Sequence, residues 1–148
     1  MNLLFVCTGN TCRSCMAEAI AKDEAKKRNM DINIASAGIY AFPGQKASTN
    51  AVKAMMEMDL DLSCHTAAAI NLELIKKSDL ILTMTSSHKK ELISLYSEFS
   101  NKIYTLMEYV GENGEVSDPF GGDIKIYRKC AAQLKGAMEK LFLKLKES

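Results

Sequence analysis

Four apolar residues in a row, Leu3-Leu4-Phe5-Val6, give way at once to Cys7-Thr8-Gly9-Asn10. That step predicts a short buried strand over Asn2 to Val6, ending abruptly in a loop. From Ser14 the spacing turns helical: Ser14 suits an N-cap, Met16, Ala19 and Ile20 share a face, and Lys26-Lys27-Arg28 place cations where the helix dipole favours them. Asp31 to Ser36 alternates through Ile32 and Ile34 as a second strand, and Ser48 to Met58 reads as a helix with Val52, Met55 and Met56 inward. Leu80 to Met84 is a third strand candidate, the best buried one after the first. Ser87 caps a short helix through Leu92 and Ile93, and Ile103 to Leu106 is a fourth strand. Gly111-Glu112-Asn113-Gly114 is a turn. From about Gly122, Ile126, Cys130, Leu134, Ala137, Met138, Leu141 and Leu145 keep helical spacing to the end.

Strands alternating with helices predict an α/β fold, a parallel sheet covered on both faces in a single-domain three-layer sandwich. The length of 148 residues fits one domain over 1–148 with a full core. In such folds ligands sit beyond the carboxyl ends of the strands, so the loop after the first strand is the first place to look for chemistry.

Charge narrows the partners. A net charge of +1 gives no reason to expect nucleic acid or an anionic membrane, and the basic residues of the last thirty positions read as the solvated face of a terminal helix. No apolar run approaches a signal or membrane-spanning length. Five cysteines, an odd number in a chain able to build a core, point to a reducing cytoplasm rather than a disulfide framework.

The loop Cys7-Thr8-Gly9-Asn10-Thr11-Cys12-Arg13-Ser14 places a cysteine, five residues and an arginine at a strand-to-helix junction. Five residues are enough to wrap peptide N–H groups around a tetrahedral oxyanion, and the following helix adds its positive end. Gly9 and Asn10 tolerate the positive φ of a tight ring. Arg13 clamps two phosphoryl oxygens at once. The same dipoles favour the Cys7 thiolate, the nucleophilic form, and Ser14 offers it a hydroxyl. Transfer of a phosphoryl group to Cys7 also needs a proton for the leaving group. Asp118, stiffened by Pro119, is the candidate acid.

Val6 to Ser14, Met16-Ala17-Glu18, Ser36-Ala37-Gly38 and Asp118-Pro119 together resemble the low-molecular-weight protein tyrosine phosphatase family, in order and over nearly the whole chain. The resemblance implies a four-stranded parallel sheet, a phosphocysteine intermediate, no metal and no cofactor. It makes Cys7 the nucleophile, Arg13 and the loop from Thr8 to Cys12 the phosphoryl cradle, and Asp118 first acid and then base. Asn10 would brace the loop, and Ser14 would stabilise the departing thiolate. Cys15 stands where the family usually has proline.

Within the family, Thr11 and the run Asp118-Pro119-Phe120-Gly121-Gly122 resemble the bacterial protein-arginine phosphatases, whose residue at the Thr11 position is threonine rather than a bulky aliphatic. A phosphoguanidinium is planar but polar and leaves donors unpaired in an apolar slot. Thr11 supplies a hydroxyl, Gly121-Gly122 lowers one wall, and Tyr40 and Phe120 can stack on a guanidinium. The expected substrates are therefore arginine-phosphorylated proteins, with phosphotyrosine as the alternative, handled by a monomer.

Three rivals compete for the cysteines. Arsenate reductases of similar fold need two further cysteines near residues 80 to 90, where this chain has none. Cys12-Arg13-Ser14-Cys15 has the C-x-x-C spacing of thiol redox enzymes. A zinc module would use Cys12, Cys15, Cys64 and His65, but the last two are adjacent rather than spaced as a ligand pair. His65 reads as a hydrogen-bonded structural histidine, His88 as a surface residue, and Cys64 and Cys130 as packed thiols. Cys12, so close to Cys7, also suggests redox control through a reversible disulfide.

Overall fold

The computed structural model describes residues 1–147. Four strands, β1 (Asn2–Cys7), β2 (Asn33–Gly38), β3 (Leu80–Thr83) and β4 (Ile103–Thr105), form one sheet in the order β2-β1-β3-β4. Every pairing is parallel, with Phe5 opposite Ser36 on one side and Leu82 on the other. Among the described residues six α-helices connect and cover the strands: α1 (Arg13–Lys27), α2 (Thr49–Met56), α3 (Leu72–Lys77), α4 (Ser86–Leu95), α5 (Leu106–Tyr109) and α6 (Ile124–Glu147).

The two-residue period of β1 divides the core. Leu3 and Phe5 point into a large cluster with α1, α2, α5 and α6, whereas Leu4 and Val6 point into a smaller one with Ile75 of α3 and Leu92 of α4. Helices therefore lie on both faces, as the strand pattern predicts. In α6 the inner stripe runs Tyr127, Cys130, Ala131, Leu134, Met138, Leu141 and Phe142. Fully burying side chains such as Leu141 and Phe142 stabilises the fold by roughly 2 kcal/mol each.

The chain leaves β1 for β2 on one side and returns to β3 on the other, so the strand order reverses beside β1. The crevice at such a reversal opens at the carboxyl end of β1, which is Cys7.

Several elements differ from the sequence expectation. Helix α1 begins at Arg13, with Cys12 in the N-cap position, so Ser14 is a buried residue inside the first turn rather than the cap. Thr85, not Ser87, caps α4 by accepting from the His88 N–H. Met56 and Ile126 are exposed, at 64% and 49%, because the buried positions Ala51, Ala54 and Met55, and Tyr127, Cys130 and Ala131, put each of them on the outer side of its helix. The sequence pattern gives no sign of helices α3 and α5. Gly111 and Gly114 do take positive φ, as the turn requires.

Candidate active site

The loop from Cys7 to Arg13 is pinned by the residues that follow β2. Ile39 N–H donates to Cys7 O at 3.0 Å and Tyr40 N–H to Thr8 O at 2.9 Å. Gly38 makes this approach possible: a Cβ there would lie 2.5 Å from Thr8 O and 3.0 Å from the Asn10 nitrogen. Within the loop Asn10 takes the left-handed conformation, φ 59°, which asparagine tolerates better than most residues. Gly9 does not have positive φ, so the tight turn falls on Asn10 alone.

Asn10 is fully buried and uses every polar atom of its side chain. Its Nδ2 donates to Ser14 Oγ at 2.8 Å and to Ser36 Oγ at 2.9 Å, and its Oδ1 accepts from Ala68 N–H at 3.0 Å. Ser36 in turn donates to the Glu18 carboxylate. The Asn10 carbonyl accepts from His65 Nε2 at 2.7 Å, confirming His65 as a hydrogen-bonded structural histidine and fixing which of its nitrogens carries hydrogen. The sulfur of Cys7 lies 2.9 Å from Ser14 Oγ and 3.3 Å from the Asn10 N–H. Both are groups that can donate to the sulfur when it acts as a nucleophile.

Arg13 is buried at 5% exposure, and its Nη1 donates to Val116 O at 3.1 Å. Val116, itself fully buried, also gives its N–H to Met84 O, which ties the loop carrying Asp118 to the end of β3. Asp118 Oδ2 faces Arg13 Nη2 at 3.6 Å, while its Oδ1 accepts from Phe120 N–H at 3.1 Å. The Asp118 side chain is 55% exposed and free to meet a ligand.

These residues line one cavity of about 280 Å³, with Cys7, Thr8, Gly9, Asn10, Thr11, Cys12, Arg13, Tyr40, Asp118 and Phe120 all on its wall. Every predicted site residue but Ser14 is there; Ser14 touches the sulfur from beneath. Two wall residues escaped the sequence reading, Phe42 and Gln45. Phe42, at 77% exposure, joins Tyr40 and Phe120 in an aromatic rim, and Tyr40 is steadied by donating its hydroxyl to Glu91. The run Phe42-Pro43-Gly44 resembles an ordinary loop, so nothing in it signalled a site. Gly121 and Gly122 do not line the cavity. Gly121 has φ 78° and Gly122 N–H closes a turn onto Pro119 O, so the glycines shape the acid loop rather than lower a wall.

The remaining cysteines separate. All five thiols are free. Cys12 Sγ lies 3.3 Å from the Tyr127 hydroxyl, whose pKa burial pushes up to about 12, and 3.5 Å from Ser48 Oγ. Cys15 is fully buried, its thiol donates to Cys12 O, and burial raises its pKa. Cys130 is packed as expected, but Cys64 is exposed, because it sits in the turn after Leu62 rather than in a core element. Among the described residues no three His, Cys, Asp or Glu side chains come together as a metal site, and no helix is long and apolar enough to cross a membrane.

His88 is not the surface residue that the sequence pattern suggests. It is buried at 7% exposure, with Nε2 2.8 Å from Thr8 Oγ1. Burial first, and then the Arg13 charge, lower its pKa to about 4. The i, i+4 spacing of His88 and Leu92, both buried in α4, was the available signal.

The sequence matches the family described as low molecular weight phosphotyrosine protein phosphatase over residues 2–148. It is 42% identical over 148 residues to a protein-arginine-phosphatase of Bacillus subtilis, covering 99% of this chain and 98% of that protein. It is 47% identical over 134 residues to the low molecular weight protein-tyrosine-phosphatase PtpB of Staphylococcus haemolyticus, covering 90% and 92%. The structure of a YwlE arginine phosphatase, a C7S mutant with a phosphorylated active site serine, superposes with a TM-score of 0.97 at 41% identity, covering 100% of this chain and 97% of that one. A cysteine held at the end of β1, facing a buried arginine and an aspartate across one small cavity, is thus matched along the whole sequence and the whole fold: the chain belongs to the low molecular weight phosphotyrosine protein phosphatase family.

Proposed function

We propose that the chain hydrolyses phosphoarginine in proteins through a phosphocysteine on Cys7. The observation that carries the chemistry is the convergence of Cys7, Arg13 and Asp118 on one cavity of about 280 Å³. In the first step the Cys7 thiolate attacks phosphorus. The P–N bond breaks, and its electron pair leaves with the guanidine nitrogen, which takes a proton from Asp118. In the second step water attacks phosphorus and gives its proton to the Asp118 carboxylate. The S–P bond breaks, and its electron pair returns to Cys7 as a thiolate held by Ser14 and the Asn10 N–H. Arg13 and the loop amides carry the charge of the transferring group throughout.

The choice of phosphoarginine rests on Thr11, which lines the cavity, and on likeness to the Bacillus subtilis arginine phosphatase over essentially the whole chain. The aromatic rim of Tyr40, Phe42 and Phe120 suits a guanidinium plane. It suits a phenol ring as well, and with the Staphylococcus relative it supports phosphotyrosine as the second reading. Side-by-side hydrolysis of phosphoarginine and phosphotyrosine peptides, with Cys7→Ala as the blank, tests the choice. Faster Cys7-dependent hydrolysis of phosphoarginine is expected, and faster hydrolysis of phosphotyrosine overturns the specificity while keeping the mechanism. The odd cysteine count favours a reducing compartment, a monomer needs nothing more to complete the cavity, and a Cys7–Cys12 disulfide under peroxide would protect the nucleophile.

A further inference from the structure

The Thr8 hydroxyl and the His88 imidazole meet at 2.8 Å, and two facts about them settle who donates. His88 Nδ1 is sealed from solvent and meets no hydrogen-bond partner among the described residues. If that nitrogen carried the hydrogen, a buried N–H would be orphaned, which is rarer and costlier than an unsatisfied lone pair. The hydrogen therefore sits on Nε2, and His88 donates to Thr8 Oγ1. With one lone pair of Thr8 so occupied, its own hydrogen turns away from His88. Thr8 is exposed and lines the cavity, so the cavity is where that hydrogen can go.

The surroundings hold this arrangement. The His88 backbone N–H donates to Thr85 Oγ1 at 3.2 Å, which fixes His88 in the first turn of α4. A helix N-terminus disfavours a cation, and Arg13 adds to that, whereas Asp118 and Glu115 act in the opposite sense. Glu115 Oε1 accepts from both the N–H and the hydroxyl of Ser86, which fastens the start of α4 to the acid loop. The backbone of Thr8 is set independently, through its carbonyl and Tyr40 N–H.

We propose that His88 is a positioning residue that aims the Thr8 hydroxyl hydrogen into the cavity, where it bonds an oxygen of the phosphoryl group. This rests on the phosphatase reading above. His88 never touches the substrate; it acts through Thr8. The pair supplies one more donor to the phosphoryl cradle, beside Arg13 and the loop amides.

The experiment is steady-state hydrolysis of p-nitrophenyl phosphate by the parent and by Thr8→Ser, Thr8→Val, His88→Ala, His88→Gln and Thr8→Val/His88→Ala. This substrate is indifferent to the choice between arginine and tyrosine. Loss of one hydrogen bond to a charged group lowers kcat/KM about tenfold in Thr8→Val and in His88→Ala. Thr8→Ser and His88→Gln, which keep a hydroxyl and a donor, retain most of it. The double variant is no worse than the poorer single one, because both remove the same bond. Losses that multiply in the double variant overturn the proposal, as does a His88→Ala protein that is less stable but equally active. The same variants are compared for protection of Cys7 from iodoacetamide by inorganic phosphate, which needs no turnover. Protection weakened about tenfold in Thr8→Val and His88→Ala supports the pair, and unchanged protection overturns it. A parent without Cys7-dependent hydrolysis sinks the phosphatase reading, and phosphate protection then decides the pair separately.

Discussion

Asn10 Nδ2 donates to Ser14 Oγ across 2.8 Å, next to the Cys7 sulfur. With that oxygen already accepting, the Ser14 hydrogen can point to the sulfur 2.9 Å away. The polarity then runs from the loop to the nucleophile. Ser14→Ala should therefore slow the step in which Cys7 leaves as a thiolate, lowering kcat about ten- to a hundredfold, and, by leaving a buried Asn10 donor unpaired, destabilise the fold by about 1–3 kcal/mol. Burst kinetics check this: the variant should accumulate phosphoenzyme, and a kcat equal to the parent's would remove Ser14 from the mechanism.

Asn10→Ala should do more damage. It deprives Ser14, Ser36 and the Ala68 N–H of a buried partner together, and removes the residue that accommodates φ 59°. Two or more unsatisfied buried groups cost on the order of 1–3 kcal/mol each, so denaturant unfolding should show a loss of roughly 3 kcal/mol or more. A loss below about 1 kcal/mol would show that the loop is held by something else.

Asp118→Asn should lower kcat by about two to four orders of magnitude for a leaving group that needs protonation, and far less for p-nitrophenol, which leaves readily without a proton. Equal losses with good and poor leaving groups would argue that Asp118 orients Arg13 rather than moving a proton. The 3.6 Å separation of Asp118 Oδ2 and Arg13 Nη2 makes that the competing role.

Most of this site was legible in the sequence because its parts are contiguous. Cys7 to Ser14 carries nucleophile, cradle and clamp in eight residues, and the apolar run before it fixes the strand that ends there. What was not legible depends on distant packing. His88 sits among Ser86, Ser87, Lys89 and Lys90, and its burial appears only when α4 lies against the end of β1. Phe42 reaches the rim through the turn in which Gln45 N–H donates to Phe42 O. Helix α5 escaped notice although Thr105 and Glu108 form a capping box, because four residues show no apolar period. The exposure of Cys64, the phase of α6 that puts Tyr127 inward, and the role of Val116 as the anchor of the acid loop likewise follow from tertiary contacts.

Thr11→Ile should shift relative activity toward phosphotyrosine, by removing a hydroxyl from the cavity wall and adding an apolar one. One methylene-sized change in a pocket is worth about 1–3 kcal/mol, so the ratio of kcat/KM values for the two substrates should move by roughly ten- to a hundredfold. An unchanged ratio would assign Thr11 to loop packing, where its carbonyl already accepts from Ser48 N–H.

His88 also makes stability depend on pH. Its pKa falls from 6.5 in the unfolded chain to about 4 in the fold, so between these values the unfolded state binds more protons. The contribution of its neutral form is complete above about pH 6.5 and is lost as pH falls toward 4, to a depth of at most about 3 kcal/mol. Unfolding free energies at pH 7 and pH 4.5 should converge in His88→Gln relative to the parent. An identical decline in both proteins would show that other groups dominate the acid limb.

The most direct test is to quench the protein with acid during turnover of a phosphoarginine peptide and locate the phosphoryl group by mass spectrometry. The phosphoryl group should be found on Cys7 and nowhere else, and Cys7→Ala should neither carry it nor turn over. Turnover with no phosphoryl group on Cys7, or turnover that survives Cys7→Ala, would contradict the account.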